Sequence, residues 1–167
     1  EMFRIAKQKN PNILTIWGGP NFPVESIKQQ NFMKKYTDVD IYVPGEGEIG
    51  FSNIISLALK SDSKDKIRRD VLENGVDACI TRNNDGQIKY TLSAERFTNL
   101  DEIPSPYTNH MFDEFFDGKL SPMLQTNRGC PFTCTFCVDG SDLVNQVNKF
   151  SLDRVKQEIE YIAEHSP

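Results

Sequence analysis

The chain is poor in histidine and tryptophan, with 2 and 1 respectively, carries only 4 cysteines, and has neither a long apolar run nor a surplus of positive charge. Each shortage excludes a class of function. Without about 20 consecutive apolar residues, no segment can cross a bilayer as a helix. With 19 Lys and Arg against 24 Asp and Glu, the formal net charge is −5, short of the clustered basic excess that a large nucleic-acid footprint needs. His110 and His165 have no cysteine, aspartate or glutamate set around them that reads as a ligand cluster, so both are expected to be surface or linker residues. No apolar N-terminal segment suggests export, and the cysteines show no evident pairing, which fits a reducing cytoplasm. No internal repeat or low-complexity tract is visible.

What is present suits a globular domain: 38% hydrophobic and 26% charged residues over 167 positions are enough to build a core. The opening run, Glu1 to Lys7, reads as helix. Ile13 to Trp17 is a short β-rich run ending in Gly18-Gly19-Pro20, followed by a helix from about Val24 to Tyr36. A second strand, Asp40 to Val43, runs into Pro44-Gly45-Glu46-Gly47-Glu48 and a helix through about Leu59. Strand, glycine turn, helix, twice over, predicts a parallel sheet with covering helices. Residues 61–74 are charged and partly helical, and Asp77 to Thr91 predicts a β-hairpin turning at Asp85-Gly86. Pro104 and Pro106 fix an extended linker. Met111, Phe112, Phe115 and Phe116 form an apolar stripe at helical spacing, and Trp17 reads as core. Beyond the linker come a strand over 122–127, a cysteine loop, and a helix from Leu152 to about Glu164 with Ser151 as N-cap and Leu152, Val155, Ile159 and Ile162 on one face.

The cysteine loop carries the chemistry. Cys130, Cys134 and Cys137 stand in Arg128-Gly-Cys-Pro-Phe-Thr-Cys-Thr-Phe-Cys, a Cys-x3-Cys-x2-Cys spacing. Three thiolates on one short loop can hold three irons of a four-iron, four-sulfur cluster and leave the fourth iron open. An open metal position marks a site that binds and reacts. The alternative is zinc, which wants four ligands; the only other cysteine, Cys79, lies in a predicted strand and reads as a small buried hydrophobe. Arg128 could balance the charge of a cluster or pair with a carboxylate.

These residues resemble the radical S-adenosylmethionine enzymes, whose signature is this spacing with an aromatic residue, here Phe136, before the third cysteine. The resemblance implies a [4Fe-4S] cluster on Cys130, Cys134 and Cys137, with S-adenosylmethionine chelating the open iron and Phe136 beside its adenine. It also implies reductive cleavage to a 5′-deoxyadenosyl radical, a small-molecule substrate, and an electron donor such as flavodoxin or ferredoxin. Gly129 would let the backbone pass close to the cluster.

Gly18, Gly19, Gly45, Glu46 and Gly47 lie at the carboxyl ends of the two predicted strands, the edge where open α/β sheets bind ligands, although tight strand-to-helix turns use glycine without any ligand. Glu46 and Glu48 at a helix start complement its dipole and would oppose a phosphate, and the glycines do not match G-x-G-x-x-G. A ligand bearing hydroxyls and amides would suit, as would none. The order of glycine turns, x-Pro-x-Pro linker and cysteine loop is similar to the radical S-adenosylmethionine enzymes with an N-terminal cobalamin-binding domain. That resemblance implies cobalamin near these five residues and methyl transfer as the leading reaction.

The expected architecture is therefore α/β. Residues 1–62 would form the C-terminal half of a Rossmann-like, cobalamin-binding parallel sheet, 63–118 a hairpin and proline-containing linker, and 119–167 the first β/α unit of a TIM-like radical S-adenosylmethionine barrel. Thirty residues follow Cys137, whereas such a barrel takes on the order of 200. The chain is accordingly expected to be a segment of a longer enzyme, inactive alone. The competing expectation is a non-catalytic Rossmann-like ligand-binding or interaction module with a structural, zinc-type cysteine loop.

Overall fold

The computed structural model describes residues 1–19, 22–23, 25–91, 97–137 and 145–167. Two compact units divide between Arg96 and Phe97. Among the described residues, no helix is long and apolar enough to cross a membrane.

The first unit is a four-stranded sheet between two helical layers. Helix α1 (Met2–Lys9) precedes strand β1 (Ile16–Gly18), α2 (Ser26–Lys35), β2 (Ile41–Val43), α3 (Gly47–Lys60), α4 (Lys64–Asn74) and the strands β3 (Cys79–Arg82) and β4 (Ile88–Thr91). Alternation along β2 sorts the core. Ile41 and Val43 turn to one face, with Ile54, Val71, Leu72 and Cys79 from α3, α4 and β3 and Val76 from the connection between α4 and β3. Tyr42 turns to the other, with Met33, Val39, Ile80 and the rings of Phe3, Trp17, Phe22 and Phe32. Trp17, read from sequence as core, is partly buried against this cluster, its ring 5.3 Å from both Phe32 and Tyr36.

The sheet order is β1-β2-β3-β4, and only β1 and β2 are parallel. The predicted hairpin forms, with Gly86 at φ +79° in its turn, and β3 adds antiparallel to β2, so the expectation of a parallel sheet is corrected to a mixed one. The short connection between Arg82 and Ile88 makes β3 and β4 antiparallel, and β3, reached through α3 and α4, joins the edge of β2 in the opposite direction. Gly50 sets how closely α3 lies on this sheet. A Cβ there would stand 2.7 Å from Val43 Cγ1 and 2.9 Å from the Ala78 carbonyl oxygen.

One buried carboxylate ties the unit together. Asp40 is 2% exposed at the start of β2. Lys7 of α1 reaches its Oδ1 at 2.6 Å, and Arg68 of α4 its Oδ2 at 3.0 Å. The Thr15 N–H donates to Oδ2 at 3.0 Å. Burial pushes the Asp40 carboxyl up, but Arg68, Lys7 and Thr15 together hold it below the usual carboxylate range.

The second unit contains 3-10 turns at Leu100–Glu102 and Asp113–Phe115, a two-residue ladder of β5 (Asn127–Arg128) with β6 (Asn148–Lys149), and helix α5 (Leu152–His165). Helix α5 begins as predicted: the Ser151 hydroxyl accepts from the Arg154 N–H at 3.1 Å. The strand expected over 122–127 shrinks to Asn127–Arg128, its partner is antiparallel, and no barrel forms among the described residues. The predicted apolar face of α5 is also revised. Leu152 and Ile159 are exposed while Glu158 is buried, because Glu158 pairs with Arg154 at 2.7 Å and Arg154 donates to the Ile103 carbonyl at 3.1 Å. The stripe of Met111, Phe112, Phe115 and Phe116 does not form an α-helix; only Asp113–Phe115 is helical, as a single 3-10 turn between Phe112 and Phe116. Its rings instead line an open apolar groove with Tyr107, Leu120, Pro122 and Met123.

Both histidines meet on Tyr161. Its hydroxyl donates to Asp113 Oδ1, and His110 Nδ1 lies 2.9 Å from the same hydroxyl and 3.3 Å from Asp113 Oδ2. Since the single phenolic proton goes to Asp113, the His110 Nδ1–H must donate to the phenol oxygen. The His165 ring stacks on Tyr161 at 3.9 Å. The bond to Asp113 pushes the Tyr161 phenol up to about 12 and holds the Asp113 carboxyl low.

Two outcomes follow. Asp40→Asn should cost about 3 kcal/mol in urea unfolding, by leaving two cations against a neutral amide. Because the folded carboxyl lies below its unfolded value, the wild-type advantage should be full above about pH 4 and fade as pH falls through the folded value. In ultraviolet titration of tyrosinate, the step at about 12 should vanish in Tyr161→Phe and move down in Asp113→Asn.

Candidate functional site

Parallel pairing places the two glycine turns side by side. In register, Gly18 of β1 faces Val43 of β2, so both chains leave the sheet at one edge. A Cβ on Gly18 would stand 3.3 Å from the Val43 carbonyl oxygen, a close approach that only glycine permits without a shift. Gly19 (φ +110°) and Gly45 (φ +64°) take left-handed conformations, and the space about Gly19, Gly45 and Gly47 is open. The Tyr42 hydroxyl donates to the Gly19 carbonyl at 2.7 Å, fixing the first turn from beneath. Pro20 of the Gly-Gly-Pro turn and Val24, the expected start of α2, lie outside the described residues.

Glu46 is the N-cap residue of α3, and Glu48 lies in its first turn. Two carboxylates here complement the positive helix end and make the edge inhospitable to phosphate. The turns thus present open backbone and acceptor groups. Their donor chemistry fits a ligand rich in amides and hydroxyls, cobalamin included.

The cysteine loop leaves β5 through Gly129, which takes φ +96°. Cys130 is half-buried, while Cys134 and Cys137 are exposed. The Cys137 N–H donates to the Cys134 carbonyl at 3.1 Å, so the last two cysteines share a turn. Phe136, between them, is 91% exposed. Arg128 donates to Gln125 Oε1 at 3.1 Å. Among the described residues, no three His, Cys, Asp or Glu side chains are gathered as a metal-binding group. Three soft thiols on one loop do fit a cluster by donor type, and their convergence would accompany metal binding. Residues 138–144, which follow the third cysteine, lie outside the described residues.

Cys79 is taken out of the ligand count. It is fully buried in the first unit's core, its Sγ 3.6 Å from the Gly50 carbonyl oxygen, and burial together with the nearby Asp77 charge pushes its thiol up to about 11. A four-thiolate zinc site therefore lacks its fourth sulfur. Sequence reading did not find the Asp40 clamp or the Tyr161 network. Asp40 stands among ordinary charged residues, and two partners of Tyr161, His110 and Asp113, lie 51 and 48 positions away. Iodoacetamide at neutral pH should alkylate Cys130, Cys134 and Cys137 in the reduced, metal-free chain and reach Cys79 only after denaturation, as peptide mapping would show.

No family model matches the chain. It is 30% identical, over 97% of its length, to the cobalamin-dependent radical SAM methyltransferase TokK of Streptomyces tokunonensis. It is 31% identical, over 97% of its length, to the 2-(S-pantetheinyl)-carbapenam-3-carboxylate methyltransferase of Streptantibioticus cattleyicolor. An anaerobic magnesium-protoporphyrin IX monomethyl ester cyclase of Synechocystis is 28% identical over 78% of the chain. The chain spans about a quarter of these relatives, 23%, 23% and 24% of their respective lengths. Across nearly all of its length, then, this α/β chain is similar to part of larger methyltransferases, one of them a cobalamin-dependent radical SAM enzyme.

Proposed function

We propose that the chain is the cofactor-binding front of a cobalamin-dependent radical S-adenosylmethionine enzyme whose parent transfers methyl groups to a small molecule. The observation that carries this reading is the set of three loop thiols, two of them exposed, with the fourth cysteine sequestered in a separate core. Cys130, Cys134 and Cys137 would hold three irons of a [4Fe-4S] cluster. When bound, the cluster would supply the electron for cleaving S-adenosylmethionine, and cobalamin would supply a methyl carrier.

The chain's own residues bind and orient. Gly129, at φ +96°, turns the loop without a side chain beside the sulfurs. Phe136, exposed and between two ligands, offers an apolar face to an adenine ring. At the sheet edge, Gly18, Gly19, Gly45 and Gly47 let a large ligand approach the backbone, while Glu46 offers an acceptor to amide or hydroxyl donors and repels phosphate. The electron would come from a flavodoxin or ferredoxin.

Anaerobic reconstitution with iron and sulfide should give a brown protein with about four irons per chain. Cys134→Ala should remove the colour, and S-adenosylmethionine should alter the paramagnetic spectrum of the reduced cluster. A colourless protein holding one tight zinc would overturn the reading.

A further inference from the structure

The loop turn has a chemistry of its own when no metal is bound. Cys134 and Cys137 are separated by two residues, and the turn between them is closed by the 3.1 Å bond from the Cys137 N–H to the Cys134 carbonyl. A turn closed in this way keeps its first and fourth Cα atoms within about 7 Å. Disulfides span Cα separations of roughly 4.4–6.8 Å. Both thiols are exposed. Cys130 is half-buried and precedes this hydrogen-bonded turn, and Cys79 is enclosed in the core of the other unit.

We propose that Cys134 and Cys137 form a reversible disulfide in the metal-free chain, a modification that withdraws two of the three loop thiols from metal and leaves Cys130 reduced. The oxidant is a low-molecular-weight disulfide, for which oxidised glutathione serves as the probe. The thiolate of one cysteine attacks a glutathione sulfur, the glutathione S–S bond breaks, and one glutathione thiolate leaves. The thiolate of the second cysteine attacks the protein sulfur of that mixed disulfide, forming the intraloop bond and expelling the second glutathione thiolate. Two electrons pass from the protein to the oxidant, and the two cysteine protons end on the two glutathione molecules. The preformed turn favours the second step over accumulation of the mixed disulfide.

The test is peptide mapping of the reduced, chelator-treated 167-residue chain after incubation with oxidised glutathione and trapping with iodoacetamide. The expected product is two hydrogens lighter, links Cys134 to Cys137, and is alkylated at Cys130. Cys137→Ser should instead stop at a stable glutathione adduct on Cys134. A bond involving Cys130, or a wild-type chain that ends as glutathione adducts, would overturn the proposal. A second measurement follows iron uptake. The oxidised chain should take up none until a dithiol reductant restores the thiols, and uptake by the oxidised chain equal to that of the reduced chain would also overturn the proposal. If the reduced chain itself takes up no iron, the cluster reading falls, while the mapped disulfide still stands or falls on its own.

Discussion

A carboxylate removed from water must be met by positive charge and hydrogen-bond donors or it will not stay ionised, and Asp40 meets that demand with groups drawn from three separate elements. Lys7 brings α1, Arg68 brings α4, and the Thr15 N–H brings the approach to β1. Arg68 also donates to the Ile13 carbonyl at 2.9 Å, adding a second hold on the same approach. The cluster sits at the amino ends of the parallel pair, opposite the edge where the glycine turns emerge. Register between β1 and β2, and so the juxtaposition of Gly18 with Val43, is set from the far end of the strands.

Much of the first unit was legible in residue pattern. The glycine-terminated apolar runs located β1 and β2, Asp85-Gly86 located the hairpin turn, and in the second unit Ser151 located the start of α5. These are local signals, carried by neighbours in sequence. What pattern could not convey was pairing. The hairpin's attachment to β2 depends on which edge is free, and the 122–127 segment, extended by composition, found pairing only at Asn127–Arg128. The apolar stripe from Met111 to Phe116 had helical spacing, but only the 3-10 turn Asp113–Phe115 forms there. The cysteine spacing was fully readable, because its chemistry depends on short separations along one loop. The Tyr161 network was not, because it joins side chains about 50 residues apart.

The two candidate ligand surfaces differ in how much is preformed. At the sheet edge the backbone is already in place, with the Tyr42 hydroxyl bracing Gly19 and the left-handed glycines holding their turns. At the cysteine loop Cys134 and Cys137 share a turn, while the three thiols are not gathered as a metal-binding group. The proposed cluster and the proposed disulfide would therefore draw on one pair of sulfur atoms.

Gly50 imposes a quieter constraint. With Val43 Cγ1 2.7 Å and the Ala78 carbonyl oxygen 2.9 Å from where a methyl would stand, α3 is seated directly on side chain and backbone at that point, with no room between. A helix seated this way cannot tilt inward or slide without collision. Its first turn, which carries Glu46 to Glu48, is thereby kept at a constant height above the strand ends. Any adjustment of that rim to an arriving molecule has to occur in the few residues ahead of the helix, where Gly45 is the natural pivot.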